Sequence, residues 1–97
     1  MSAVVGICVI KLGLDESLSL KDKRRTVSSI KERVRQKFRV AIAETDDLDK
    51  MKSAELTLCT VANDEALVSS LIDKALEFVE NLRTAMIVDT RVEILHV

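Results

Sequence analysis

The apolar residues of this chain fall into six segments whose repeat switches between two and about 3.6 residues. From Ala3 to Leu12 both alternate sets are apolar, Val5, Ile7 and Val9 on one and Val4, Cys8, Ile10 and Leu12 on the other, as in a strand covered on both faces. Gly13 to Leu18, with Asp15, Glu16 and Ser17, reads as a connecting loop. Ser19 followed by Asp22 resembles a capping box with Asp in the Glu position, so a helix is expected to begin near Leu20. Its buried stripe is Leu20, Val27, Ile30, Val34 and Phe38, and it ends near Lys37. Arg39 to Thr45 alternates, Val40 and Ile42 against Arg39, Ala41 and Ala43, and predicts a half-buried strand. The polar stretch Asp46 to Ser53 connects it to a third strand, Ala54 to Ala62, with Leu56 and Leu58 inward and Glu55, Thr57, Cys59 and Val61 outward. Asn63 or Asp64 caps a second helix with apolar positions Leu67, Val68, Leu71, Ile72, Ala75, Phe78, Val79 and Leu82. Met86 to Val97 alternates again, Val88, Thr90, Val92 and Ile94 against Asp89, Arg91 and Glu93, as a last strand.

Strand, helix, strand, strand, helix, strand is the ferredoxin-like split βαβ order. Two right-handed crossovers place both helices on one face of a four-stranded antiparallel sheet, an α+β sandwich formed by residues 1–97 as a single domain. The open face is then expected to carry Val4, Cys8, Ile10, Thr57, Cys59, Val61, Ala41 and Ala43, with Asp89, Arg91 and Glu93 at one edge. So apolar a centre suggests cover, and a homodimer through the open sheet face is the expected arrangement. The alternative is an ordinary exposed patch.

Composition narrows the function. Ninety-seven residues, 47% apolar and 32% charged, suit one compact domain and exclude disorder or a multi-domain enzyme. No apolar run approaches the roughly 20 residues of a bilayer span. The Ala3–Ile10 run also lacks the flanks of a signal peptide, so a cytoplasmic protein with no membrane partner is expected. Two cysteines without a CxxC and a lone histidine, His96, leave no ligand set for a structural metal, and no cofactor is expected. The acids of Asp46, Asp47 and Asp49 match no calcium loop and read as a solvated turn.

Charge distribution is the strongest functional signal. Between Lys21 and Arg39 stand nine basic residues and two acids, a balance of +7, whereas the other 78 positions hold six basic and fourteen acidic residues. The near-neutral total of −1 thus conceals a dipolar molecule able to steer an anionic partner to one surface. At 100° per residue one flank of the first helix carries Lys21, Arg24, Ser28, Lys31 and Arg35, about 21 Å long at 1.5 Å per residue. Lys21, Lys23, Arg24 and Arg25 crowd the helix start, where the macrodipole disfavours cations by roughly 0.3–1 kcal/mol each. Local rules broken in this way point to function. The candidate anion or RNA site is therefore Ser19, Lys21, Lys23, Arg24, Arg25, Lys31 and Arg35, with the Lys23 stem on the core edge and its amine reaching toward the loop. The competing view is a solvated face neutralised by Asp15, Glu16 and Asp22, with acids of the second helix paired to Arg33 and Lys37.

Catalysis finds no constellation. The chain has no Tyr or Trp, and Phe38 and Phe78 fall on buried stripes, which disfavours base stacking on the open sheet. An acylphosphatase-type phosphate loop would need several glycines, whereas Gly13 to Ser19 offers one glycine and two acids. Neither Cys8 nor Cys59 has a neighbouring His or Lys in sequence to activate it, and both read as small strand hydrophobes. A non-enzyme is expected.

VVGICVIKL at the start, SLSLKDKRR at Ser17–Arg25, RVAIAE at Arg39–Glu44 and TVAND before the second helix resemble the YlxP-like family of small bacterial proteins, over essentially the whole chain. The most specific element is Ser19, Leu20, Lys21, Asp22, Lys23 and Arg24, followed by the strand ending in Ala43 and Glu44. The resemblance implies a ferredoxin-like fold. Genes of that family often neighbour those for transcription termination, translation initiation and ribosome-binding factors, which implies a role near the ribosome. Relatives commonly carry an aromatic residue in the loop after strand two, where this chain has Met51. Two functions are carried forward: a binding protein that contacts ribosomal RNA or the ribosome through helix-one cations, and a homodimeric interaction module without nucleic-acid binding.

Overall fold

A computed structural model of the chain describes residues 2–97. The elements are β1 (Val4–Gly13), α1 (Leu20–Lys37), β2 (Ala41–Asp46), β3 (Ser53–Ala62), α2 (Glu65–Leu82) and β4 (Met86–His96). One sheet has the order β2-β3-β1-β4 with every neighbouring pair antiparallel, and both helices lie on one face. This is the expected ferredoxin-like α+β sandwich. Among the described residues no helix is long and apolar enough to cross a membrane.

Capping follows the sequence. The Ser19 hydroxyl accepts the Asp22 amide at 3.0 Å, while the Asp22 carboxylate accepts the Leu18 amide at 3.3 Å, one residue earlier than in the usual box. Asp64 rather than Asn63 caps α2, accepting the Ala66 amide at 3.2 Å. The core lies between sheet and helices: Val27, Ile30 and Val34 of α1 and Val68, Ile72, Ala75 and Val79 of α2 cover Ile42, Leu56, Leu58 and the even-numbered residues of β1.

That last feature corrects the expected open face. Val4, Cys8 and Ile10 are buried beneath the helices, and Val5, Ile7 and Val9 face the other way. Register fixes this, because Cys8 pairs with the inward-facing Leu58, and Ile7 with Cys59. The local reason is Gly6. A Cβ at that position would run into Val68 and come within 2.7 Å of Ile72 Cδ1, so α2 rests on the strand backbone there. Cys8 and Cys59 consequently lie on opposite faces and are both free thiols. Burial, then the charge of Asp73, pushes the Cys8 thiol up to about 11, where it is inert.

A second correction concerns β4. The register against β1 shifts between Lys11 and Leu12, so that Ile87 rather than Val88 follows onto the helix side and Val88 lies beside Gly13.

Candidate anion-binding surface

The sequence nominated seven residues, and the structure divides them. Lys21, Arg24 and Arg25 are exposed at the start of α1 and Lys31 is half-exposed about two turns beyond Arg24. None of the four forms an ion pair among the described residues. Lys21, Arg24, Arg25 and Ser28 line one shallow groove. Arg25 also borders a neighbouring cleft with Thr26, Arg83 and Thr84, which Glu16 and Asp22 line as well. The expected neutralisation of these cations by Asp15, Glu16 and Asp22 therefore does not occur by direct pairing.

Three nominated residues are otherwise engaged. Ser19 spends its hydroxyl on the helix cap. Arg35 donates to the Ile42 carbonyl at 3.0 Å and stands 3.8 Å from Glu32, which fixes α1 to the edge strand β2. Lys23 is the clearest correction: it is 0% exposed. Its Nζ donates to the Asp47 carbonyl at 2.6 Å and lies 2.7 Å from Glu44 Oε2. The contact to Oε2 is ionic without the direction of a hydrogen bond. Its stem lies against the core as expected, but the amine ends inside the fold on the Asp47 carbonyl and Glu44 and presents nothing to solvent. Neither of the other expected pairs forms among the described residues: Lys37 lies over the Phe78 ring, 5.2 Å from its centroid, and Arg33 pairs with no acid of α2.

The groups the sequence did not disclose hold the β2–β3 loop. Asp47 adopts a left-handed backbone, φ 62°, which Asp tolerates better than most residues. Its carboxylate takes Lys11 at 3.0 Å and Lys50 at 3.3 Å, while its carbonyl takes Lys23. The hydrogen bond from Lys11, aided by Lys50, holds the Asp47 carboxyl below its ordinary value against the opposing effect of desolvation, and the same bond holds the Lys11 ammonium above its own. The acidic turn is thus closed by lysines. Among the described residues no three His, Cys, Asp or Glu side chains meet as a metal site.

The sign of the linkage follows. A carboxyl lowered on folding adds stability that is present above the ordinary Asp range, about pH 4, and lost as pH falls through its folded value. Asp47→Asn keeps a side chain suited to the left-handed backbone and removes the charge. Urea unfolding at stepped pH should therefore show wild type and variant differing at neutral pH and converging in acid. A gap that stays constant down the series would refute the clamp.

What this arrangement offers chemically is a set of solvated ammonium and guanidinium groups on one helix flank, rigidly backed by a buried lysine and a closed loop. Among solved structures the fold resembles that of "De novo designed protein Foldit4", with 17% identity, a TM-score of 0.53 and coverage of 98% of this chain and 96% of that one; the likeness concerns the fold alone. No curated protein matches the sequence. The family model described as "Protein of unknown function (DUF503)" matches residues 5–92, from β1 into β4, and the chain belongs to that family.

Proposed function

We propose that the protein is a non-catalytic binding protein that docks a polyanion, RNA within a ribosomal assembly, on the exposed flank of α1. The observation that carries this reading is the set Lys21, Arg24, Arg25 and Lys31, accessible and without an internal acid partner, the first three lining a groove open to solvent with Ser28. Unpaired guanidinium and ammonium groups at a helix start favour phosphate through charge-assisted hydrogen bonds. Lys23 and Arg35 belong to the frame that positions this flank. The resemblance to YlxP-like proteins, with their ribosome-related gene neighbours, directs the choice of polyanion toward ribosomal RNA and a cytoplasmic setting.

Co-sedimentation with ribosomal subunits across a salt series tests it. Wild type should co-migrate at low salt and be released as salt rises, and Lys21→Ala/Arg24→Ala should fail to co-migrate while keeping its far-UV circular dichroism. Co-migration indifferent to both salt and mutation would overturn the reading.

A further inference from the structure

The two edges of the sheet are treated differently by the fold. β2 is six residues long, ends at a register shift between Glu44 and Asp46, and has Arg35 bonded to its Ile42 carbonyl. These are the devices by which natural sheets blunt an edge. β4 is eleven residues long, pairs only with β1, and contains neither Lys nor Pro. It also exposes apolar side chains along its length: Met86 at 65%, Val88 at 66%, Val92 at 48% and Leu95 at 43%. Val92 is on the helix side of the sheet, yet the helices leave it half uncovered.

We propose that β4 pairs antiparallel with β4 of a second copy, about a two-fold axis at Val92, to form a continuous eight-stranded sheet. The choice of occupant rests on self-complementarity. In a self-paired antiparallel strand the residues facing each other have numbers with a constant sum, and the axis position decides which charges meet. An axis at Arg91 sets Arg91 against its own copy and Asp89 against Glu93, like charge on like. An axis at Val92 sets Arg91 against Glu93 twice, Val92 against Val92 and Thr90 against Ile94. Moving the axis to Thr90 would pair Asp89 with Arg91, but it draws the bulged Val88 into the centre of the ladder. The Val92 axis places the regular stretch from Asp89 to Leu95 at the interface. Unpaired backbone groups supply the bonding, the valines supply apolar contact, and the Arg91–Glu93 pairs fix register. Both basic flanks remain free, because α1 packs toward β2 at the opposite edge.

Sedimentation equilibrium reads the outcome. Wild type should give twice the 10.8 kDa chain mass. Arg91→Glu should give the monomer mass, and adding Glu93→Arg to it should restore the dimer, because the swapped charges again face each other across the Val92 axis. Val92→Lys should give a monomer with unchanged circular dichroism. A wild-type monomer overturns the proposal. So does a dimer that persists in both Arg91→Glu and Val92→Lys, which would locate the contact on the open face. Rescue of Arg91→Glu by Asp89→Arg in place of Glu93→Arg would overturn the Val92 axis.

Discussion

Lys23→Met is expected to lower the unfolding free energy by about 3–5 kcal/mol, the usual result of removing one partner from a buried ion pair. The native ammonium is 0% exposed and holds the Glu44 carboxylate together with the Asp47 carbonyl, while the Glu44 side chain is itself only 12% exposed. Methionine fits the stem but leaves that carboxylate facing an apolar group. At about 5 °C per kcal/mol for a domain of this size, the midpoint of thermal unfolding should fall by roughly 15 °C or more. Lys23→Met/Glu44→Leu should recover much of the loss, since an apolar pair often replaces a buried ion pair without penalty. Calorimetry of the wild type, the two single variants and the double variant decides this. Additive single effects would show that the pair does not act as a unit.

Gly6→Val is the second large effect. The β-branched side chain would be thrust into Val68 and Ile72 where α2 lies on β1, and overpacking of this kind costs about 1–3 kcal/mol or more. Neither neighbour has slack, because both are 1% exposed and packed on the same core. Val68→Ala opens space at that point, so Gly6→Val should be less damaging in the Val68→Ala background than in wild type, as measured by urea unfolding. Equal losses in the two backgrounds would mean that the helix does not bear on Gly6.

The same glycine shows how much of the fold was legible. Helix limits, caps and element order could be read because each has a local cause: a Ser19 hydroxyl three residues before an amide, or a stripe at 3.6 residues. The facing of β1 was hidden by its own composition, since a strand apolar on both sets carries no period-2 signal. Two residues break the tie. Gly6 marks the set beneath a helix, and Lys11, on the set with Val5, Ile7 and Val9, marks the solvated face and ends against Asp47. Counting hydrophobics could not disclose this; asking where a glycine and a lysine can go does.

For the candidate site the sequence located the helix flank but not the status of each cation. Angle alone placed Lys23 on the buried stripe, and burial requires a partner for an ammonium. Glu44, twenty-one positions away on β2, becomes that partner only when α1 crosses the sheet edge. Lys23 and Glu44 both belong to the segments that carry the family resemblance, so part of that signature is structural. Arg35 followed the same course, taken up by an Ile42 carbonyl that no sequence pattern announces. Lys21, Arg24, Arg25 and Lys31 were left over: none of them forms an ion pair with an acid of α1, α2 or the preceding loop among the described residues.

The salt dependence of RNA affinity tests the central claim most directly. Four phosphate contacts, at roughly −0.7 each on single-stranded RNA, predict a slope of log K against log salt of about −3. Lys21→Ala/Arg24→Ala should weaken binding and reduce the slope to about −1.4, at unchanged thermal stability. A slope near zero, or a slope that the double substitution leaves in place, would contradict the account.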